Sequence, residues 1–353
     1  MSEQRETIAV RSGEELNEDA IVSFLRKSLP EFPQDETLTI RQFPAGASNL
    51  TYLLESDSFE AVLRRPPFGP LPAKGHDMLR EHNLLKALSP KFPYAPRPLV
   101  LGEGTDVMDV TFYVMERKHG IVLDSKDSEI VPSREEAKRV SERFIDLLAE
   151  LHQVDPTTGG LEKFGHPEGF TKRQVEGWLK RYEKAKTEDV PGFEELRAWM
   201  IREIPPDGEA TVIHNDFKLN NMLFSQGYEQ VNAVVDWEMA TIGDPLFDLG
   251  VALGYWAEPN DPPGIRAGFQ SVTTHDGFYN RRDLIERYAK KTGRNLDHIH
   301  FYQVFAHFKL AVIVQQIYYR WKKGQTQDAR FKVYGDMATE LIKHANSIRG
   351  SYS

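Results

Sequence analysis

The apolar pattern of this chain changes period near Lys118, and few folds accommodate such a change. Residues 38–43, 50–55, 61–65, 98–102 and 112–116 are short apolar or alternating runs separated by Gly, Pro, Ser and Asp, the pattern of antiparallel strands. One helical stretch, 76–88, interrupts them, with Met78, Leu84, Leu85 and Leu88 recurring at helical spacing. A short helix over 18–29 precedes the strands and stops at Pro30 and Pro33. After Lys118 the period is helical over 134–154, 172–187, 193–204, 283–292, 297–322 and 331–348, with short strands at 211–213, 222–224 and 231–235 set inside. At 353 residues the chain has length for about two domains. The expectation is an α+β chain. Residues 1–117 form a small antiparallel β-sheet lobe with one main helix, and residues 118–353 form a large, mainly α-helical lobe.

Composition excludes several functions. The 44 Lys and Arg against 53 Asp and Glu leave a net charge of −9, the wrong sign for a broad grip on a phosphate backbone, so no nucleic-acid partner is expected. With no cysteine there can be no disulfide, iron–sulfur cluster, zinc-thiolate site or thiol nucleophile, which fits a reducing compartment, the cytoplasm. Residues 1–15 are polar and carry no apolar run of a signal peptide. The apolar region 305–317 is broken by His307, Lys309, Gln315 and Gln316, so no membrane span is expected. His298 and His300 do not share a helical face and no His-Glu-x-x-His occurs, which argues against zinc.

The most chemically loaded stretch is Thr211-Val-Ile-His-Asn-Asp-Phe-Lys-Leu-Asn-Asn-Met-Leu-Phe224, which reads as strand, polar loop, strand. His214, Asp216, Lys218 and Asn221 fall on the loop, and Val231-Asn-Ala-Val-Val-Asp-Trp-Glu238 follows as a strand ending in Asp236 and Glu238. Asp216, Asn221 and the strand-terminal Asp236 have the spacing of a phosphoryl-transfer centre. In such a centre one carboxylate takes a hydroxyl proton, the amide binds one Mg²⁺, and the second carboxylate bridges metal to phosphates. Mg²⁺ prefers hard oxygen ligands and keeps several waters, so one Asn and one Asp suffice beside the phosphates of ATP. Lys218 could supply positive charge to the transferred group. His214 reads as a packed, hydrogen-bonded loop anchor rather than a proton acceptor, and Glu238 either caps a turn or approaches a second Mg²⁺.

The loop His214-Asn-Asp-Phe-Lys-Leu-Asn-Asn221 with Val235-Asp-Trp-Glu238 resembles the aminoglycoside phosphotransferase and choline kinase-like group, which has the protein kinase-like fold. Phe43-Pro-Ala-Gly-Ala-Ser-Asn-Leu-Thr-Tyr52, Val62-Leu-Arg-Arg-Pro-Pro67 and Thr241-Ile-Gly-Asp-Pro-Leu-Phe-Asp-Leu249 resemble the subgroup related to the kinase-like domain of acyl-CoA dehydrogenase fusion proteins. The resemblance implies a Mg²⁺-ATP site between the lobes. It makes the turn with Gly46, Ser48 and Asn49 the loop over the phosphates, although the protein kinase pattern has three glycines where this turn has one. Arg64 stands where this fold normally has a lysine on the α and β phosphates, and Glu81 matches that residue's helix partner. By the same resemblance Met115 lines the adenine pocket, backbone groups around Glu116 to Lys118 bond the base, and Asp248 holds the catalytic loop while Asp244 caps the next helix.

The expected activity is transfer of the γ-phosphoryl group of ATP to a hydroxyl of a small molecule. Protein substrates fit less well: no long segment separates Asp236 from the Gly243-Asp-Pro245 turn, no Ala-Pro-Glu follows, and no Arg precedes Asp216. The acceptor pocket is expected to draw on Tyr255, Trp256 and residues 303–320, while most of the five aromatics Tyr255, Trp256, Tyr318, Tyr319 and Trp321 read as core. The subgroup resemblance tilts the acceptor toward a metabolic hydroxyl compound, a hydroxyacyl thioester or free hydroxy acid. A nucleotide-binding regulatory module without transfer, and a protein or lipid kinase, are the competing expectations.

Overall fold

The computed structural model describes residues 6–44, 49–69, 76–103, 107–123, 131–269, 271–326 and 328–350. They divide into two units, one made of the described residues up to His119 with Asn232–Glu238, the other of Gly120–Val231 and Met239 onward.

In the first unit, helix α1 (Glu18–Ser28) is opened by Asn17, whose side chain accepts from the Ala20 amide. Strands β1 (Thr39–Gln42), β2 (Leu50–Glu55) and β3 (Glu60–Arg65), helix α2 (Met78–Leu88), and strands β4 (Pro98–Gly102) and β5 (Phe112–Glu116) follow. The strands form one antiparallel sheet in the order β1-β2-β3-β5-β4. Alternation along each strand decides what each face carries. Tyr52 and Leu54, Ala61 and Leu63, and Phe112 and Val114 join Ile21, Leu25 and Leu29 in one buried cluster. Arg64, one residue out of that phase, pairs in register with Thr51 and Tyr113. The segment Asn232–Glu238 belongs here because the Val234 amide donates to the Tyr94 carbonyl at 2.8 Å and Trp237 packs edge-on against Phe92.

After β5 the chain forms α3 (Arg134–Leu151), α4 (Phe170–Ala185), α5 (Phe193–Arg202), β6 (Thr211–Ile213), β7 (Met222–Phe224), β8 (Val231–Val234), β9 (Thr241–Gly243), α6 (Pro245–Tyr255), α7 (Pro263–Phe269), α8 (Arg281–Thr292), α9 (Ile299–Lys322) and α10 (Tyr334–Gly350); all but β8, whose residues after Val231 belong to the first unit, lie in the second unit. Most strand and helix bounds fall within about two residues of expectation. Strand β8 stops at Val234, one residue early, because Asp236 takes a left-handed backbone with φ 68°. The expected helix over 331–348 is split: a 3₁₀ turn covers Ala329–Val333 and α10 starts at Tyr334. Helix α6 is the helix expected after Asp244, while helix α7 and strand β9, which pairs antiparallel with β6, add to the expected elements. Among the described residues no helix is long and apolar enough to cross a membrane.

Helix α9 is the centre of this unit, packed on α4, α6 and α10 and buried on most sides through Phe301, Val304, Phe305, Phe308, Leu310 and Val312. It approaches α6 at Gly250, where an added Cβ would lie 2.7 Å from the Tyr302 carbonyl oxygen. Alanine improves helix propensity by about 1 kcal/mol, but forcing packed helices apart costs about 1 to 3 kcal/mol. Gly250→Ala is therefore expected to destabilise the protein by up to about 2 kcal/mol in urea unfolding, and a stabilised variant would contradict the close crossing.

Candidate active site

Two clusters of polar side chains hold the residues that the sequence singles out. In the first unit Arg64 lies at the end of β3 with 8% of its surface exposed, and Glu81 on α2 with 2%. The Arg64 Nε is 3.3 Å from Glu81, and its Nη2 donates to Asp236 Oδ1 at 2.5 Å and lies 3.6 Å from Glu238. Burial of Arg64 opposes its charge, but Glu81, Tyr113 and Asp236 more than compensate and hold it as a cation. Burial pushes the Glu81 carboxyl up to about 7, with Asp236 and Glu238 adding to the shift and Arg64 holding it back. Glu238 accepts from the Asn49 amide at 2.6 Å, while the Asn49 carbonyl oxygen meets His76 Nδ1 at 2.7 Å. Glu238, read either as a turn cap or as a second metal ligand, thus binds Asn49 and Arg64 here. Gly46 and Ser48 lie outside the described residues.

Met115 is buried on β5, paired with Val62 and Pro98. The Glu116 amide donates to the Arg97 carbonyl, and its carboxylate accepts from the Arg97 amide at 2.8 Å and pairs with Lys118 at 3.1 Å. The Glu116 N–H is therefore already committed within the sheet.

In the second unit β6 ends at Ile213 and the chain turns sharply, because Asn215 takes a left-handed backbone with φ 67°, a conformation Asn tolerates better than most residues. Alternation then buries Phe217 against Phe144 and leaves the flanking Asp216 and Lys218 partly exposed. Lys218 Nζ donates to Asp216 Oδ2 at 2.7 Å and lies 5.1 Å from the centre of the Tyr255 ring. A 3₁₀ turn over Leu219–Asn221 brings Asn221 Nδ2 to 2.8 Å from the Asp216 carbonyl and 3.1 Å from its carboxylate. Because the amide nitrogen makes these bonds, the Asn221 carbonyl oxygen is the end left to face a cation.

This loop is held from behind. Asp248, buried in α6, accepts from the His214 amide at 2.6 Å and the Asn215 amide at 2.7 Å, and meets His152 Nε2 at 3.2 Å. Burial opposes its charge, but His152 and the backbone donors outweigh burial and hold the Asp248 carboxyl below its usual range. His152 Nδ1 meets the Tyr288 hydroxyl at 2.7 Å. Asp244 caps α6 by accepting from the Leu246 amide, and Tyr302 donates to it at 2.6 Å. His214 is buried as an anchor, edge-on to Phe217 with Nδ1 accepting from the Asp216 amide. His152, Tyr288, Tyr302 and Lys309 carry the support without having been singled out for it. Of these, Lys309 left a signal, as the one charge within the largely apolar run 305–317.

A cavity of about 180 Å³ opens beside Lys218, walled by Leu123, Phe144, Tyr255, Trp256, Phe269 and Val272, with Ser271 and Thr273 at its edge. Tyr255 and Trp256 line this cavity. Among the described residues none of 303–320 does, and α9 buries Val304, Phe305, Phe308 and Leu310 in the helical core. Of the five aromatics considered for core, Trp256 is buried; Tyr318 and Trp321 stack on each other half-exposed.

The sequence pattern of the Phosphotransferase enzyme family matches residues 39–282. Acyl-CoA dehydrogenase family member 11 of Rattus norvegicus is 34% identical over 331 residues, 92% of this chain and 42% of that protein. The chain thus spans less than half the length of such acyl-CoA dehydrogenase family relatives. A Ralstonia eutropha protein provisionally named an aminoglycoside phosphotransferase superposes with a TM-score of 0.79 at 27% identity, covering 94% of this chain and 99% of its own. A thermostable mutant of aminoglycoside phosphotransferase APH(4)-Ia, solved with AMP-PNP and hygromycin B, shares the fold with a TM-score of 0.57 at 14% identity over 93% of this chain and 98% of its own. The fold is the protein kinase-like two-lobed one, with a small antiparallel sheet lobe and a large helical lobe.

Proposed function

This chain belongs to the phosphotransferase enzyme family, and from that premise we propose that it is an ATP- and Mg²⁺-dependent kinase acting on a hydroxyl of a small molecule. The observation that carries the reading is Asp216, partly exposed and bonded to both Lys218 and Asn221, on a loop whose backbone is locked by buried Asp248. Bound AMP-PNP in a structural neighbour supports nucleotide use. The donor types fit Mg²⁺, since the Asn221 amide and the Asp236 carboxylate each offer a hard oxygen. Held by such oxygens, Mg²⁺ would neutralise charge on the phosphates.

The acceptor oxygen attacks the γ-phosphorus, the bond to the β–γ bridging oxygen breaks, and ADP leaves. Asp216 steers the acceptor hydroxyl and takes its proton, and Lys218 offsets charge on the moving phosphoryl group. Arg64, set by Glu81, contacts the phosphates in place of the usual lysine. Groups beyond the committed Glu116 amide, at Arg117 and Lys118, bond the base, and Met115 lines its pocket.

The cavity beside Lys218 is the proposed acceptor pocket. Among the described residues its walls are Lys218 and mainly apolar side chains, which suits a hydroxyl compound with an apolar portion. ADP release with Mg²⁺ is to be followed over aminoglycosides, amino alcohols, sugars and hydroxyacyl compounds. Tyr255→Ala, which removes one wall, is expected to raise KM for the productive acceptor about tenfold while leaving KM for ATP in place. Equal loss toward both substrates would place the acceptor elsewhere, and stimulation by aminoglycosides alone would overturn the acceptor class.

A further inference from the structure

Lys309 is a buried charged group that touches the catalytic loop and that the proposed chemistry leaves unused. It stands on α9 among buried apolar side chains, with 3% of its surface exposed. Its ammonium lies 5.5 Å from the centre of the Trp178 ring and 5.6 Å from that of Phe247. Its hydrogen bond among the described residues goes to the Asn215 carbonyl oxygen at 2.9 Å. Burying an ammonium against aromatic faces and a single carbonyl is costly, and an apolar side chain of similar length would fill the space at less cost. The charge is therefore a liability to the fold at a place where it touches the peptide that leads into Asp216.

The turn that carries this peptide is held from two sides, and the Asp216 N–H at the peptide's other end donates to His214 Nδ1 at 3.3 Å. Asp248 takes the amides of His214 and Asn215, and Lys309 takes the Asn215 carbonyl, the oxygen of the peptide bond to Asp216. Asn215 itself is in the left-handed region and its side-chain amide donates to the Met239 carbonyl at 2.9 Å. With both ends of the turn fixed, the 215–216 peptide plane is fixed, and with it the direction in which Asp216 leaves the backbone.

We infer that Lys309 is a positioning residue for phosphoryl transfer, holding the 215–216 peptide so that the Asp216 carboxylate meets the acceptor hydroxyl. The inference rests on Asp216 being the group that receives the acceptor proton. Burial also lowers the Lys309 ammonium to about 8; Asp216 and Asp248 pull it back up, and Lys218 and Arg181 push it further down. This agrees with a charge kept at a cost to stability.

The test uses the full chain with Lys309→Met, which removes the donor, and Lys309→Gln, which keeps an N–H donor without the charge. Four readouts are taken: thermal midpoint, ATP affinity, kcat, and amide hydrogen exchange over residues 214–218. Lys309→Met is expected to keep or raise the thermal midpoint and to keep ATP affinity. Its kcat should fall by about tenfold or more, and the Asp216 and Phe217 amides should exchange faster, with Lys309→Gln intermediate. A lowered midpoint with kcat unchanged per folded molecule would make Lys309 a packing residue only and overturn the inference. So would unchanged kcat with unchanged exchange. Absence of transfer by the wild type across the acceptor panel would instead count against the proposed function, and the exchange rates would still decide whether Lys309 holds the loop.

Discussion

Asp216→Ala is expected to lower kcat for phosphoryl transfer by about 10²- to 10⁴-fold, the usual range for losing a positioned general base. The variant removes the partner of Lys218 Nζ at 2.7 Å and of Asn221 Nδ2 at 3.1 Å, so the group proposed to offset charge on the phosphoryl and the proposed Mg²⁺ ligand each lose one bond. ATP affinity should stay within about twofold, because Asp216 is given no role in holding the nucleotide. The Asn221 bond to the Asp216 backbone carbonyl, at 2.8 Å, survives the substitution, which keeps the turn in place. Asp216→Asn separates charge from shape: it retains an oxygen acceptor for Lys218, and its activity should lie near that of the alanine variant. Single-turnover rates with ATP binding measured in parallel are the check. A variant with wild-type kcat would remove Asp216 from the chemistry.

Asp248→Ala carries the largest expected cost to stability, about 3 to 5 kcal/mol in urea unfolding. The reason is local. Two backbone amides, His214 and Asn215, and the His152 ring all point at this one carboxylate, which is fully buried. Alanine leaves them without that acceptor and water cannot reach them. Asp248→Asn keeps an oxygen for one amide and should cost less. The pH dependence has a definite sign. The Asp248 carboxyl is held below its ordinary range, so its stabilisation is fully present above the unfolded-state value and is lost as pH falls through the folded-state one. Burial lowers the His152 imidazole despite Asp248, so it too is stabilising when neutral and adds to the loss on acidification. Unfolding curves of the wild type should therefore shift to lower urea on the acid side more than those of Asp248→Asn. Parallel shifts would show that the carboxylate is not what the loop rests on.

The strands were the most legible part of the chain. Runs at 50–55, 98–102, 112–116, 211–213 and 222–224 coincide with observed strands because each is short, apolar or alternating, and closed by Gly, Pro, Ser or Asp. Helix α6 was visible only through Asp244 as its cap, since residues such as Leu246, Phe247, Leu249, Val251 and Leu253 bury it nearly all round and leave no helical stripe. Helix α9 is likewise apolar on most sides, which leaves no sequence signal for the face that meets a ligand, and the cavity beside Lys218 draws on Phe269, the last residue of the unforeseen α7, and on Val272.

At the site, residue types and spacing identified Asp216, Lys218 and Asn221, which the structure gathers around one carboxylate. The ion pair of Arg64 and Glu81 followed from the family resemblance and is present at 3.3 Å. Roles set by distant contacts were beyond local reading. Glu238 bonds Asn49 across 189 residues of chain, and Lys309 bonds Asn215 across 94. No pattern within either segment encodes such a pairing, because it depends on how elements far apart in sequence pack.

The central claim is transfer of a phosphoryl group to a small-molecule hydroxyl, and the most direct measurement follows labelled γ-phosphate from Mg²⁺-ATP into the products of a panel of hydroxyl compounds. Label on the carbon-bound oxygen of one acceptor class, dependent on Mg²⁺ and lost with Asp216→Ala, is the predicted result. Nucleotide that binds the protein while no acceptor in the panel takes up label would contradict it and favour a nucleotide-binding regulatory module.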